Sequence, residues 1–239
     1  MEKNIKFGII VSSSNTIIEP EFNLISPKDI GIYASRIMQK KPTLKEINLT
    51  LKYAIRAGEE LSTAQVDILL YAITIGSIMI GREWEKKFLN ELIEKTGINS
   101  ITTANSIIKA LKTIKVKKII VLTPYNQKIN ELEKIFLEEA GFEVINIRGL
   151  NGKNVIEIGK ISENTIYENS LDLYSKYSND AHALFISCTN LNTFGIIHDL
   201  ESKIKVPVIT SNQASFWNLL RTCSDQRKIC GYGILLENY

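Results

Sequence analysis

Short apolar runs alternate along this chain with longer segments in which apolar residues recur every three or four positions. The runs predict strands at 5–11, 45–51, 67–73, 98–102, 117–122, 143–148, 182–187 and 206–210. Between them, Trp84–Glu94 and Lys128–Glu139 carry apolar residues on one helical face and charges on the other. The second of these stops at Ala140-Gly141, a glycine terminator. A further helix is predicted over Phe194–Glu201, around His198. Strands alternating with amphipathic helices predict an α/β architecture with mostly parallel sheets.

The pattern occurs twice. Phe7–Ser13 resembles Lys118–Pro124, Tyr71–Thr74 resembles Ile186–Thr189, and Ser100–Thr103 resembles Val208–Ser211. All three pairs keep the same order, at offsets of roughly 110 residues. The expectation is two pseudo-symmetric α/β halves, 1–110 and 111–220, with part of the C-terminal tail, 221–239, free to pack on the first. Two such halves leave a cleft between their strand ends, a favoured place for a small ligand.

Composition narrows the class. Of 239 residues, 44% are hydrophobic and 23% charged, the balance of an ordinary globular protein. A net charge of +3, with no basic stripe interleaved with aromatics, argues against nucleic acid as a partner. Lys115-Val-Lys-Lys118 reads as a solvated turn. The strand at 5–11 begins too early for a signal peptide, and no apolar stretch is long enough to span a membrane. The expected location is therefore the cytoplasm. The three cysteines do not make a disulfide framework; in a reducing cytosol Cys223 and Cys230 are thiols by default, though their spacing permits a pair. Neither histidine, His182 or His198, has ligand spacing to a cysteine, so no metal site is expected.

Chemistry concentrates at the strand ends. Four turns, Ser12–Thr16, Thr74–Ser77, Thr123–Asn126 and Ser187–Asn190, are rich in hydroxyls and amides and contain no Lys, Arg, His or Asp. Such residues also serve as helix caps. Converging on one cleft, neutral donors suit a small carboxylate. They suit phosphate less well, and neither a P-loop nor a GxGxxG turn is present. Cys188 stands at one of these strand ends. A lone cysteine there is commonly an inert core residue, but a thiol beside a helix start is expected to have its pKa lowered and to serve proton transfer or nucleophilic attack. In the matching turn of the first half, Ile73 occupies the equivalent place.

These stretches resemble the Asp/Glu/hydantoin racemase superfamily, and within it the branch of maleate cis-trans isomerase and arylmalonate decarboxylase. The resemblance is carried by Ser13–Thr16 with Glu19-Pro-Glu21, Tyr71–Ser77, Pro124-Tyr125, Ser187–Leu191, Pro207–Ala214 and Gly231-Tyr-Gly233. It implies an active site between the two halves, no metal or organic cofactor, a small carboxylate substrate and a homo-oligomer. By the same resemblance Cys188 is the catalytic second-half cysteine, Asn15 and Tyr125 hold a carboxylate, and Thr74 with its turn donates hydrogen bonds. Thr189 and Asn154 complete the expected substrate contacts. Racemases and maleate isomerases of this superfamily use a cysteine from each half, whereas arylmalonate decarboxylase keeps only the second. Ile73 departs from the two-cysteine pattern, and Ile75 stands where relatives often carry serine.

The expected activity is accordingly single-cysteine proton transfer on a small mono- or dicarboxylate, with malonate-type decarboxylation favoured. Two alternatives remain open from the sequence: an isomerase or racemase with a divergent first-half site, and a carboxylate-binding protein without catalysis.

Overall fold

The computed structural model describes residues 4–39 and 44–239. The chain runs β1 (Ile5–Ser12), α1 (Ile18–Ile25), β2 (Ile30–Ile37), α2 (Leu44–Thr63), β3 (Ile68–Tyr71), α3 (Thr74–Ile80), α4 (Arg82–Thr96), β4 (Ser100–Thr102) and α5 (Thr103–Thr113). It continues through β5 (Lys118–Thr123), α6 (Gln127–Glu139), β6 (Glu143–Gly149), α7 (Val155–Gly159), α8 (Glu163–Tyr177), β7 (Ala183–Ile186), α9 (Ile197–Ile204), β8 (Val208–Thr210), α10 (Ser211–Thr222) and α11 (Ile234–Asn238). The strands form two parallel four-stranded sheets of identical connectivity, β2-β1-β3-β4 and β6-β5-β7-β8. The α/β class expected from the sequence is therefore the class observed.

The repetition extends to single residues. Tyr71 pairs with Thr102 in the first sheet, as Ile186 pairs with Thr210 in the second. Both threonines then cap the next helix: Thr102 accepts the Asn105 N–H at 2.9 Å, and Thr210 accepts the Gln213 N–H at 3.2 Å. Strands β3 and β7 are buried along their whole length, which is why they read in sequence as unbroken apolar runs.

The two sheets are joined through α5 and α10, which pack side by side. A seam of small polar residues lets them approach: Ser215 donates to Thr103 Oγ1 at 2.9 Å, and Asn218 Nδ2 donates to Ser106 Oγ at 2.9 Å. Helix α10 follows β8 yet also covers the first sheet, where Phe216 makes edge-on ring contacts with Phe7 of β1 and Phe22 of α1. One hydrophobic cluster consequently contains residues of both sheets.

One expected strand fails. The segment 45–51 is not a strand but the beginning of α2, and the strand between β1 and β3 in sequence is β2, at Ile30–Ile37. A short run such as Leu49-Thr-Leu51 alternates at period two, but Ala54, Ala57 and Leu61 are buried beyond it at helical spacing, and length decides for the helix. β2 lies at the edge of its sheet, with Tyr33, Ala34 and Arg36 exposed and only Ile30 and Ile37 buried, so its apolar signal is thin. No helix among the described residues is long and apolar enough to cross a membrane. Cys223 and Cys230 are not joined in a disulfide.

Candidate active site

In each sheet the chain leaves β1 or β5 toward one neighbour and returns to the other side, so loops diverge beyond the carboxyl ends of the two central strands. That divergence is where open α/β sheets bind ligands. Here two such points face each other, and the turns after β1, β3, β5 and β7 line a single cavity of about 440 Å³. Its size suits a small molecule. Asn15, Thr74, Tyr125, Asn154, Cys188 and Thr189 all line it. So does Ile73, on the wall belonging to the first sheet.

Cys188 follows β7 with φ at 123°, a conformation that side chains rarely adopt and that is stored by surrounding structure at functional sites. Its N–H donates to Ser211 Oγ at 2.9 Å, and its sulfur accepts the Asn190 N–H at 3.4 Å. Burial pushes the thiol up to about 11, against the lowering effect of hydrogen bonds from Tyr125 and the Asn190 N–H. The lowered pKa expected from the sequence is thus reversed, because the sulfur is desolvated rather than aimed along a helix axis. At neutral pH Cys188 is a protonated thiol, a proton donor more than a nucleophile. The Tyr125 phenol beside it is also raised, chiefly by burial and next by the charge on Cys188.

The other expected residues divide by how much of their bonding capacity is already spent. Asn15 Oδ1 accepts the N–H groups of Ile17 and Ile18, and its Nδ2 donates to Thr189 Oγ1 at 3.1 Å. Thr189 in turn donates to the Ala72 carbonyl at 3.1 Å. Its hydroxyl proton is therefore committed to tying the Cys188 turn to the Ile73 turn. Thr74 is the opposite case: its hydroxyl is buried and has no hydrogen-bond partner among the described residues. A buried donor without a partner in a cavity wall is ready for an acceptor from a ligand. Asn154 caps α7 through its Oδ1, which accepts the Glu157 N–H at 3.0 Å, leaving its amide N–H groups uncommitted among the described residues.

Several lining residues lie outside the expected set. Gln39 follows β2, and Lys153 sits in the β6–α7 connection; Ile129, Val155 and Ile158 add an apolar side next to Ile73 and Ile75. Gln39 is missed because β2 itself is missed. Lys153 is missed because the four-turn pattern covers only the ends of the central strands.

Two buried carboxyl groups flank the site. Glu21 on α1 accepts from the N–H groups of Thr193 and Phe194, the Thr193 hydroxyl and Asn212 Nδ2. Glu133 occupies the equivalent place on α6, but its surroundings differ. The positions matching Thr193 and Asn212 are Ile78 and Ala104, which offer no side-chain donor. Both Glu133 oxygens lack a hydrogen-bond partner among the described residues; the Ser187 hydroxyl faces them without full hydrogen-bond geometry. Burial pushes Glu133 up to about 7, with Ser187 opposing. A carboxyl raised in the folded state contributes stability below its unfolded pKa and loses it as pH rises through the folded value. Glu133→Gln is therefore expected to leave the unfolding temperature nearly unchanged at pH 4.5 and raise it by several degrees at pH 8, on the order of 3 kcal/mol. Thermal unfolding followed by circular dichroism across that range checks it, and equal effects at both pH values would refute it.

The family model for arylmalonate decarboxylase matches residues 7–236. The chain belongs to that family. It is 26% identical over 246 residues to a maleate isomerase of Pseudomonas putida, covering 97% of both chains. Among solved structures, it superposes with a TM-score of 0.84 on arylmalonate decarboxylase, at 21% identity and covering 97% of this chain and 98% of the other. It superposes with a TM-score of 0.89 on a mutant maleate cis-trans isomerase of Nocardia farcinica carrying a covalently bound succinylcysteine intermediate. There the identity is 18%, with 98% of this chain and 99% of the other covered. All three relatives are enzymes, and this chain shares the fold of the two solved structures.

Proposed function

We propose that this enzyme acts on a small carboxylate by delivering one proton from Cys188, with decarboxylation of a malonate-type acid as the leading reaction. One observation carries the reading: the two facing turns are equivalent in structure, yet one presents a protonated thiol and the other the sec-butyl side chain of Ile73. Two-base racemisation needs an acid or base on each face, and covalent isomerisation through a first-half nucleophile needs a group there that can attack. Isoleucine supplies neither.

Decarboxylation asks for less. One carboxylate is held by Asn15, Thr74 and Tyr125, while the other extends from the α carbon past the apolar side formed by Ile73, Ile75 and Ile129 toward the cavity mouth. The bond from the α carbon to the second carboxyl breaks, carbon dioxide leaves, and the electron pair passes into the retained carboxylate as an enediolate. Neutral donors already aimed at that group stabilise its added charge without reorganising. Cys188 S–H then protonates the α carbon, and the thiolate regains its proton from water. No cofactor enters this scheme.

A second reading, cis-trans isomerisation of a maleate-type acid, is supported by the full-length similarity to the Pseudomonas putida maleate isomerase. The two are separated by incubating phenylmalonate, methylmalonate, maleate and aspartate in D₂O. The leading reading expects release of carbon dioxide from a malonate and one deuterium in the product. Conversion of maleate to fumarate with no turnover of either malonate would sink it. Carboxylate binding with neither product nor exchange would mark a binding protein. In the same panel Ile73→Cys restores a second thiol, and isomerase activity is expected to rise by on the order of 10² over wild type.

A further inference from the structure

Among the described residues, Lys153 is the one charged residue lining the cavity, and it forms no ion pair or hydrogen bond with any of them. Its main chain is not free to wander. On one side the Leu150 N–H donates to the Thr123 carbonyl and the Gly152 N–H donates to the Pro124 carbonyl, both at 2.8 Å. On the other, Asn190 Nδ2 donates to the Val155 carbonyl at 2.7 Å, and Asn154 caps α7. Gly152 packs so tightly that a Cβ there would come within 2.6 Å of Ile158 Cγ1. The segment is thus strapped between the turn that carries Tyr125 and the turn that carries Cys188. From that fixed base a flexible four-carbon stem lets the ammonium follow an anion at the cavity mouth.

The rest of the polar lining among the described residues is neutral: Asn15, Thr74 and Tyr125 can hold one carboxylate with hydrogen bonds. A second carboxylate on the same molecule has only the apolar side or the mouth to occupy. Burying it without a partner would be costly. At the mouth, Lys153 removes that cost.

We propose that Lys153 is the specificity-determining residue of this cavity, pairing with a second carboxylate and so selecting dicarboxylates over monocarboxylates of the same length. This inference rests on the carboxylate reading above and names the acid class within it. Side-chain exposure at the mouth keeps the pairing modest and sensitive to salt.

Succinate and butyrate, which share a four-carbon chain, are the probes, with binding to the intact protein measured by calorimetry at low and high salt. Wild type is expected to bind succinate more tightly than butyrate. Lys153→Met should weaken succinate by roughly five- to tenfold while changing butyrate less than about twofold. Lys153→Arg should retain most of the preference, and high salt should shrink it. Equal loss for both acids, or none for succinate, would overturn the role of Lys153 while butyrate binding left the carboxylate site standing. Failure of wild type to bind either acid would overturn the carboxylate reading and this inference together.

Discussion

Cys188→Ala is expected to reduce kcat by on the order of 10²–10⁴, the usual worth of a positioned general acid, with little effect on binding of a small carboxylate. The separation follows from the geometry. Asn15, Thr74 and Tyr125 do not depend on the sulfur for their backbone positions, since their turns are fixed elsewhere. Asn15 is held by Thr189 and the start of α1, and Tyr125 by its N–H donating to Thr123 Oγ1 at 3.1 Å. Removing the thiol takes away the proton delivered to carbon and leaves the donors that hold the acid. Steady-state kinetics together with titration of a substrate analogue checks both halves. Full turnover in the variant would rule out Cys188 as the proton donor. Lost binding with proportionate loss of kcat/KM, by contrast, would make the sulfur a structural element of the pocket. Because the wild-type thiol is pushed up to about 11, the acid form persists throughout the neutral range, and activity should not fall between pH 6 and pH 8 through deprotonation of Cys188.

Glu21→Ala is expected to be the most destabilising single change at the site, by on the order of 3–6 kcal/mol. The carboxyl is buried beneath the Cys188 loop, and the change strands two backbone N–H groups, at Thr193 and Phe194, with the Asn212 amide. Each buried donor left without a partner costs about 1–3 kcal/mol. Asn212 Nδ2 retains a bond to the Thr189 carbonyl at 3.2 Å, which softens its share. Chemical denaturation midpoints measure the loss, and a change below about 1 kcal/mol would show that water or local rearrangement satisfies these groups. Activity should fall as well, since the loop that Glu21 anchors runs directly on from Cys188. Glu133→Gln, its counterpart on α6, moves stability in the opposite direction above neutral pH. Burial pushes both carboxyls up to about 7; they differ in that the second sheet's loop supplies hydrogen-bond donors to Glu21, whereas the matching positions Ile78 and Ala104 carry no side-chain donor for Glu133.

Much of the fold was legible because parallel strands buried on both faces announce themselves as apolar runs. β3, β5 and β7 are of this kind, and the observed strands fall within a residue or two of the expected ones. β2 was illegible for the converse reason: as an edge strand its apolar pattern is thin, while the start of α2 imitates a strand over a few residues. That error carried over to the site. Arg36, at the end of β2, donates to the Ser13 carbonyl at 3.0 Å and also to the Asn15 carbonyl, and so holds the turn that bears Asn15. Gln39 lines the cavity from the same connection.

The sequence by itself determined the repeated α/β pattern, the polar turns at the strand ends, and the asymmetry of Cys188 against Ile73. These are properties of local composition and spacing, which survive without knowledge of neighbours. Tertiary structure decided the rest. It placed the four turns around one cavity and spent the Thr189 hydroxyl on a bridge while leaving that of Thr74 open. It brought Lys153 to the mouth and raised the Cys188 thiol where a lowered one was expected. Desolvation is the physical reason for that last reversal. A pKa depends on how much water surrounds the group, and no stretch of sequence states how deeply a strand end will be covered by the other half of the molecule.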